Sequence, residues 1–436
     1  MQKRKNRRRL FLGRLNMFKF AHLADIHLGA NRHPILETME TEKFNQAMNK
    51  CIEEKVDFIL ICGDLFHIGI PDMSVLKNCV TKLKEVYDQG IPVYVIFGSH
   101  DYSPNADSIV NILESAGLIT NVSKGRDIGN GKLGLEFLKD QKTGAKLVGI
   151  NARKGGVDKV YYEKLDLESL EKEKGFKIFC VHSGLSEFKP AHMASMDTLP
   201  ISYLPKGFDY YAGGHIHERI EEQLPGYARI VFPGPIFSGY PRDLERTAKG
   251  EIRGFYIVSF KEQIEALEFI ELFGPEKLKY IEIDVSGKNS TKANSEIEDQ
   301  LKQINVRDKV VLLKIRGVLE GGKTSEIRAQ YYKKFLIENG AVFVDVNRYG
   351  LSSKAYTAIR VSGEDRFSIE KKLFRENIGA VNVSFQSLKG EEGSKVAETL
   401  LDVLKIDVNL NESKKDYMSR FMDAAIELFG LKEVLF

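Results

Sequence analysis

Short apolar runs and longer amphipathic segments alternate along the chain up to about residue 151. The runs FKFAHLA, DFILIC, PVYVIF and KLVGIN are rich in β-branched and aromatic residues, which indicates buried strands. Between them, segments 40–53, 73–87 and 106–115 have apolar residues at helical spacing. Such alternation is typical of a mostly parallel sheet with helices on its faces, and we predict that architecture for this part of the chain.

Strand patterns dominate the next segment. A helical stretch at 158–174 is followed by the runs KIFCV, FDYYAGG, RIVFPG, GFYIVSF and ALEFIEL, with few helical segments between them. A parallel strand pair needs a long crossover connection, whereas an antiparallel pair does not. We therefore expect part of the sheet structure here to be antiparallel.

The pattern changes again near Gly274 and Pro275. The runs YIEIDVSG, VVLLKIRG and VFVDVNR predict strands, and helical patterns around 292–303 and 325–339 separate them. This β-α-β-α-β unit contains no histidine, which argues against a second metal centre in it and for an accessory role.

Two amphipathic helices are predicted after the polar segment EEGSK. The second has an apolar stripe at helical spacing, made of Tyr417, Met418, Phe421, Met422, Ala425, Leu428 and Phe429. Packing on the chain's own body is the ordinary explanation of such a stripe. The polar linker and the terminal position of the helices favour a helical pair that binds a partner.

The charge of the chain is uneven. Its net charge is +3, but the first sixteen residues carry seven Lys or Arg and no acid, so the remainder carries 3 − 7 = −4. This tail is a nucleic-acid-binding arm, a mitochondrial-type presequence or a disordered leader before a start at Met17. We favour the leader, because Met17 immediately precedes the first strand.

Two further features limit the class of protein. No apolar run approaches the ~20 residues that a membrane-spanning helix needs, so we expect no membrane association. The four cysteines are Cys51, Cys62, Cys79 and Cys180; they lie in apolar patterns without a C-x-x-C pair, which predicts buried thiols in a reducing compartment.

Carboxylates and imidazoles follow the strand candidates in five short segments. These segments are HLADIHLG (Asp25, His27), GDLFH (Asp64, His67), GSHD (Ser99, His100, Asp101), FCVHSG (His182) and GHIH (His215, His217). The carboxyl ends of strands converge on one crevice in open α/β sheets, and burying these groups without a cation would cost several kcal/mol. A metal centre is therefore predicted.

The donor types and their number indicate which metals bind. Mixed carboxylate and imidazole ligation suits Mn, Fe or Zn better than Ca or Mg. The segments supply more donors than one ion needs. Two ions about 3.5–4 Å apart, sharing a carboxylate, would use them and would clamp a phosphoryl group during in-line displacement by water.

The series D-x-H, GD, G-S-H-D, H and G-H-x-H resembles the calcineurin-like metallophosphoesterases. HLADIHLG with GDLFH, and LPKGFDYYAGGHIH followed by PGP and GFYIV, is similar to the SbcD/Mre-eleven nucleases of DNA double-strand-break repair. The resemblance implies an α/β fold with a two-layered mixed-sheet metallophosphoesterase core flanked by helices, a small α/β capping domain and C-terminal helices. The corresponding boundaries are a tail at 1–17, a nuclease domain at 18–273, a DNA-capping domain at 274–390 and an ATPase-binding helical pair at 391–436.

The resemblance also implies a role for each matched residue. Asp25, His27 and His217 would hold the first ion, Asp64 would bridge, and His182 and His215 would hold the second. His100 would be a general acid or transition-state stabiliser, oriented by Asp101. His67 would help to position DNA, although a buried structural histidine is the alternative. Phosphate contacts are expected from basic residues that we take to be Arg153, Lys154, Arg242 and Arg246.

Ser99 departs from the family pattern. The family has Asn at this position, and the Asn carbonyl oxygen is a ligand of the second ion. Ser has a shorter reach and a weaker neutral donor, so the second ion is expected to bind less tightly or through water. Activity should then need a high Mn concentration.

We therefore expect a two-metal phosphodiesterase that acts on DNA in double-strand-break repair, in the nucleoid-associated cytoplasm of a prokaryote. The resemblance implies that its activities are those of a 3′–5′ exonuclease and a single-strand endonuclease. The resemblance implies two divalent ions, with Mn the preferred metal, DNA ends as substrate, a homodimer, and an SbcC/Rad-fifty-type ABC ATPase with a coiled coil as partner. Two alternatives remain open. One is a small-molecule phosphodiesterase with the same metal site, and the other is a DNA-end-binding scaffold whose metal site is weakened at Ser99.

Overall fold

The computed structural model describes residues 17–101, 108–153, 158–189, 198–354, 395–396, 399–400, 403, 409 and 412–428. The chain divides into two compact units, Met1–Ser352 and Ser353–Phe436. The predicted domain boundaries at 17/18, 273/274 and 390/391 stay predictions.

Most of the strands and helices belong to the first unit. In chain order, the strands are β1 (Phe18–Leu23), β2 (Phe58–Cys62), β3 (Val93–Ile96), β4 (Thr120–Asn121), β5 (Gly125–Asp127), β6 (Leu133–Leu135), β7 (Leu138–Lys139), β8 (Lys146–Ile150), β9 (Lys177–His182), β10 (Tyr210–Gly214), β11 (Ile220–Leu224), β12 (Tyr227–Phe232), β13 (Arg253–Phe260), β14 (Ile264–Phe273), β15 (Leu278–Asp284), β16 (Val310–Leu319), β17 (Phe343–Asn347) and β18 (Leu351–Ser353). The helices are α1 (Pro34–Glu53), α2 (Met73–Asp88), α3 (Ile109–Ser115), α4 (Asp158–Glu163), α5 (Leu167–Lys172), α6 (Pro241–Ala248), α7 (Ser290–Lys302) and α8 (Ala329–Glu338).

Two six-stranded mixed sheets form the centre of this unit. The first has the order β14-β13-β1-β2-β3-β4, in which β1 to β4 are parallel and β13 and β14 are antiparallel. The second has the order β11-β12-β10-β9-β8-β7, with antiparallel pairs at its two edges. The predicted mixture of parallel and antiparallel strands is confirmed.

Side-chain alternation along the strands explains how the sheets pack. Phe20 of β1, Phe58 of β2 and Cys180 of β9 point into the interface between the sheets, where they join one buried cluster. Their neighbours Ala21 and Phe179 point to the outer faces, which α1 to α3 cover on one side and α4 and α5 on the other. The period of two therefore buries both faces of each sheet, and the predicted α/β core of mixed sheets flanked by helices is confirmed.

The β-α-β-α-β segment predicted after Pro275 is present within the first unit. Strands β15, β16 and β17 are parallel, β18 adds to β16, and α7 and α8 form the two crossovers. They enclose a core of their own that includes Ile283, Ile297, Ile315 and Tyr332. A second cluster joins β15 and β16 to Leu244 of α6.

One predicted helix is wrong in its extent. The pattern at 158–174 predicted a continuous helix, but α4 ends at Glu163 and α5 begins at Leu167. The residues between the two helices pair with β6. The amide of Leu133 donates to the carbonyl of Lys164 at 2.7 Å, and the amide of Asp166 donates to the carbonyl of Leu133 at 3.0 Å. Long-range backbone pairing thus overrides the local helical pattern.

The second unit contributes one described helix, α9 (Lys414–Leu428). Met418 and Met422 of its predicted apolar stripe are 46% and 50% exposed. Phe429 and the first predicted helix of the pair lie largely outside the described residues. All four cysteine side chains are buried, as predicted. In the described part of the chain, no helix is both long and apolar enough to cross a bilayer.

Candidate metal centre

The polar residues singled out from the sequence follow strands of both central sheets. Asp25 and His27 follow β1, Asp64 follows β2, and His100 follows β3 of the first sheet. His182 ends β9 of the second sheet, and His215 and His217 follow β10. Because β1, β2 and β3 are parallel neighbours, as are β9 and β10, these carboxyl ends meet at one edge of the two-sheet core.

The backbone at this edge is strained. Asp25, His27, Asp64 and His215 have φ values of 51°, 52°, 52° and 84°. Residues with a Cβ rarely adopt positive φ; each instance costs about 1–3 kcal/mol and persists only where the surrounding structure enforces it. Such strain is concentrated at functional sites, and here it turns the carboxylates and imidazoles out of the strands towards one another.

Potential ligand atoms converge in three overlapping clusters. Within each, one donor atom per residue lies within 4.8 Å of the others. The clusters are Asp25, His27 and His217; Asp25, Asp64 and His182; and His27, His67 and His100. The first two contain five of the predicted metal ligands and share Asp25, so their geometry can hold two neighbouring ions.

Unpartnered atoms in these clusters indicate where a cation fits. Oδ2 of Asp25 is buried and has no hydrogen-bond partner among the described residues, and the buried Nε2 of His182 lies 3.2 Å from Oδ2 of Asp64. Nε2 of His27 lies 3.2 Å from Nε2 of His217, so two imidazole nitrogens face each other. Buried polar atoms are normally satisfied, and divalent ions bound in the first two clusters would contact all four atoms. The residues present therefore fit a divalent metal.

The pKa values describe the same demand for positive charge. Burial raises the pKa of Asp25 to about 6, although His182 and His217 oppose this shift. Burial also acts to raise the pKa of Asp64, but the hydrogen bond and charge of His182, together with the charges of His27 and His100, outweigh burial and lower that pKa. For His182, burial lowers the pKa and the charges of Asp64 and Asp25 raise it more, to about 10. A proton on His182 thus supplies the charge that a metal ion would supply.

Hydrogen bonds from neighbouring groups orient the imidazoles. Nδ1 of His182 lies 2.8 Å from the carbonyl oxygen of Cys62, which leaves Nε2 facing Asp64. Nδ1 of His217 lies 2.9 Å from Oδ2 of Asp243. A partner on one ring nitrogen fixes the tautomer that binds metal through the other. Both imidazoles are therefore prepared for ligation through Nε2.

Buried Arg253 supports Asp243 and His217 from behind. Its guanidinium donates to the carbonyl oxygens of His217 at 2.7 Å and Asp243 at 3.1 Å, and Nε donates to the Thr247 hydroxyl at 2.9 Å. Glu251 accepts from the same guanidinium at 3.2 Å. Arg253 is 1% exposed, so its role is internal support of this edge.

His100 lies at the rim of the centre, and its orientation differs from the prediction. Asp101 was predicted to orient it, but the Asp101 carboxylate accepts from the backbone amides of Phe66 at 3.1 Å and Gly98 at 2.9 Å. Nδ1 of His100 instead lies 2.6 Å from the carbonyl oxygen of His67. Asp101 follows His100 directly and turns into the core, so it holds the loop rather than the imidazole.

His67, His215 and Ser99 lie close to this arrangement. The ring of His67 stacks on that of His100 with centroids 4.8 Å apart, which places it beside the site. The ring of His215 lies 5.2 Å from that of His182, although His215 supplies no atom to the three clusters formed by described residues. Ser99 is half-buried between Gly98 and His100. The roles assigned to these residues stay predictions.

The predicted DNA-contacting cations have different surroundings. Arg242 is exposed and lines a cleft of about 360 Å³ between α6 and the small sheet. Arg153 is exposed, with its guanidinium 4.9 Å from the ring centre of Tyr161. Arg246 pairs with Glu218 and with Glu251, so the prediction that it contacts phosphate conflicts with two carboxylates already bound. Lys154 lies outside the described residues.

Several glycines allow this close packing. A Cβ at Gly98 would collide with Asp64, one at Gly63 with His182, and one at Gly239 with His27. These positions have space only for hydrogen. The backbone therefore approaches the metal-binding side chains more closely than any other residue would permit.

Sequence reasoning missed Tyr240, Asp243 and Arg253. The hydroxyl of Tyr240 lies 2.8 Å from Nε2 of His100, and the other two support His217. Tyr240 and Asp243 lie in the segment SGYPRD, which carries a helix-start signal that we did not use, with Pro at the first helical position and Asp in the first turn. That signal indicates a helix but gives no reason to place it beside histidines from distant parts of the chain.

Comparison with known proteins agrees with this geometry. Residues 18–219 match the family model of the calcineurin-like phosphoesterases. The DNA double-strand break repair protein Mre11 of Archaeoglobus fulgidus is 28% identical over 282 residues, which cover 59% of this chain and 61% of that protein. Mre11 of Saccharolobus solfataricus is 24% identical over 400 residues, which cover 89% of this chain and 99% of that protein.

A third relative and one solved structure extend the comparison. Mre11 of Sulfurisphaera tokodaii is 31% identical over 258 residues, or 58% of this chain and 62% of that protein. A dimetal phosphatase from Danio rerio aligns with a TM-score of 0.37 and 10% identity, over 59% of this chain and 98% of that chain. The family match and the converging ligands together identify residues 18–219 as a calcineurin-like phosphoesterase domain, in a chain similar to archaeal proteins named Mre11.

Proposed function

We propose that this chain is a two-metal DNA nuclease of double-strand-break repair, with 3′–5′ exonuclease and single-strand endonuclease activity. The observation that carries the proposal is the convergence of Asp25, His27, Asp64, His182 and His217, whose buried potential ligand atoms lie within 4.8 Å of one another in two clusters that share Asp25. Names of the archaeal relatives support DNA as the substrate class.

The residues divide the work between two ions and the substrate. Asp25, His27 and His217 would hold one divalent ion, His182 and His215 the other, and Asp64 would be shared by both. The donor set suits Mn, Fe or Zn, and the family resemblance favours Mn among them. When bound, the ions would supply an activated water for in-line attack and neutralise charge on the phosphoryl oxygens. His100, at the rim, would face the scissile phosphate and donate a hydrogen bond or a proton to it.

The small sheet and the terminal helix support the proposed binding partners. The exposed Arg242 lines the cleft between α6 and the small sheet, and we assign the backbone of DNA to this side of the site. The exposed Met418 and Met422 of α9 would contact an SbcC/Rad-fifty-type ATPase, and the active form would be a homodimer in a prokaryotic cytoplasm. The capping and partner-binding roles are part of this proposal.

Cleavage of end-labelled double- and single-stranded DNA by the purified chain tests the proposal. We expect Mn-dependent degradation that chelation abolishes, and a loss of about 10²–10⁴-fold in His100→Ala, the range of general acid catalysis. Mn binding by His100→Ala, followed by calorimetry, should match that of the wild-type protein, because His100 is a rim residue.

A small diester, bis(p-nitrophenyl) phosphate, is the control substrate. Metal-dependent cleavage of this ester without cleavage of DNA would contradict the nuclease and favour a small-molecule phosphodiesterase. Absence of cleavage of either substrate by the metal-bound protein, also with an ATPase partner, would favour a DNA-end-binding scaffold.

A further inference from the structure

Tyr240 reaches the candidate metal centre from the start of α6. Its hydroxyl lies 2.8 Å from Nε2 of His100, and its ring centroid lies 5.4 Å from that of His217. The side chain is 44% exposed, so it stands on the side from which a substrate enters. We propose that Tyr240 is a positioning residue for phosphodiester cleavage that acts through His100. This inference rests on the function proposed above.

The two contacts of His100 determine which ring nitrogen faces the substrate. Nδ1 lies 2.6 Å from the carbonyl oxygen of His67. A carbonyl oxygen only accepts hydrogen bonds, so Nδ1 carries a proton. In the neutral imidazole, Nε2 then has the lone pair, and the Tyr240 hydroxyl donates to it. Both ends of the ring are held, and Nε2 faces the open side of the centre.

Other contacts of His100 do not distinguish its ring nitrogens in this way. Its ring stacks on His67 at a centroid distance of 4.8 Å and an interplanar angle of 29°. Stacking is compatible with a ring rotated by 180°, in which carbon and nitrogen positions exchange. The Tyr240 hydroxyl opposes this rotation, because a C–H group in place of Nε2 cannot accept its hydrogen bond.

The position of Tyr240 is itself fixed by the metal-binding edge. Its backbone amide donates to Oδ2 of Asp243 at 2.9 Å, and the same oxygen binds Nδ1 of His217 at 2.9 Å. Gly239 precedes it and packs against the rings of His27 and His217 without space for a Cβ. One carboxylate therefore sets both a metal-binding imidazole and the tyrosine that holds His100.

On substrate binding, the held orientation becomes useful. Nδ1–H stays on the His67 carbonyl, so Nε2 is the ring nitrogen that faces a phosphate oxygen, which takes the place of the Tyr240 hydroxyl. Only one hydrogen bond is exchanged, so Tyr240 directs His100 without blocking it.

Tyr240→Phe tests this role, since it removes the hydroxyl and retains the ring. For Mn-dependent DNA cleavage we expect kcat to fall by about tenfold, the upper size for loss of one hydrogen bond, with KM within about twofold. Combining it with His100→Ala should cause no further loss. Tyr331→Phe on α8, where the tyrosine is 45% exposed, is the matched control and should retain wild-type kcat.

A second measurement is independent of activity. In metal-free protein with ¹⁵N-labelled histidine, the His100 ring, assigned through His100→Gln, should show the Nδ1-protonated tautomer. In Tyr240→Phe, Nδ1 should keep its proton on the His67 carbonyl, whereas the ¹⁵N resonance of Nε2 should shift, because its lone pair loses the hydroxyl donor. An unchanged Nε2 resonance, an unchanged kcat, or an additive loss in the double variant would each overturn the positioning role. A wild-type protein without Mn-dependent cleavage would overturn the proposed function itself, a different outcome from an active wild type with an active Tyr240→Phe.

Discussion

Individual residues prepare the metal centre before any ion binds. Asp25 and Asp64 take positive φ, and their carboxylates then accept backbone amides from His215 and His100, each at 2.8 Å. These hydrogen bonds offset part of the conformational cost of the strained backbone. Because the carboxylates are already fixed, little ordering entropy remains to be lost when a cation arrives.

Ser99 is the position at which we predict that the second ion is held less tightly, because the family pattern has Asn there. We expect Ser99→Asn to lower the Kd of the weaker Mn site, by about tenfold or more, because the longer side chain brings an amide oxygen to the second ion. Calorimetric titration with Mn measures this change, and the Mn concentration for half-maximal DNA cleavage should fall with it. Equal titrations of variant and wild type would show that Ser99 is not a weak point.

The sequence allowed us to predict those site residues that lie at the ends of strands. Asp25, Asp64 and His182 were predictable, because each follows an apolar run and parallel strands bring such positions together. Tyr240 was not, because its partner His100 is 140 residues away in sequence and neither belongs to a common local pattern. The true role of Asp101 was hidden as well, since it depends on amides in the loop after β2.

Among the elements, α6 has contacts on two sides. Towards the metal centre, Asp243 binds His217. Towards the small sheet, Glu245 accepts from the hydroxyl of Tyr280 at 3.0 Å and from Nζ of Lys314 at 3.2 Å. A short helix thus connects the β15–β17 sheet with the imidazole of a predicted metal ligand. A shift of that sheet would therefore move Asp243 and, through it, the ring of His217.

Asp243→Asn tests the metal-directed side of α6. A neutral amide cannot replace the charged carboxylate oxygen that His217 and the backbone amides of Gly239 and Tyr240 share. We expect Mn affinity to fall by about 10–100-fold, as for other outer-shell partners of metal-binding histidines. Calorimetric titration measures the loss.

The control for this variant is Asp299→Asn on α7, which replaces an exposed carboxylate and should leave Mn affinity unchanged. An Asp243→Asn protein that folds normally and binds Mn like the wild type would contradict the supporting role of Asp243.

At the scale of the whole molecule, both central sheets contribute candidate metal ligands. Asp25 and Asp64 belong to loops of the first sheet, and His182 and His217 to the second. An ion bound between them joins the two halves of the core. The local patterns predicted most strands and helices, but they could not show that two separate sheets would face each other, because that packing depends on contacts such as Phe20 with Tyr210.

Metal binding should therefore stabilise the whole core. With free Mn at 100 times its Kd, linkage gives about 2.7 kcal/mol, which corresponds to a rise of about 5–10 °C in Tm for a domain of this size. Thermal unfolding with Mn, compared with chelator, measures the shift. Asp64→Ala should lose most of this rise in Tm. A wild-type Tm that Mn does not change, at concentrations that support cleavage, would contradict an ion that joins the two sheets.

The glycines packed against the metal-binding side chains have a consequence for inherited variation. Gly63, Gly98 and Gly239 carry no chemistry, yet the space they leave is occupied by His182, Asp64 and His27. A single-nucleotide change that adds one methyl group at any of them would displace a ligand as surely as a change in the ligand itself. Among natural variants of this gene, we therefore expect substitutions of these three glycines to be as rare as substitutions of the charged residues of the site.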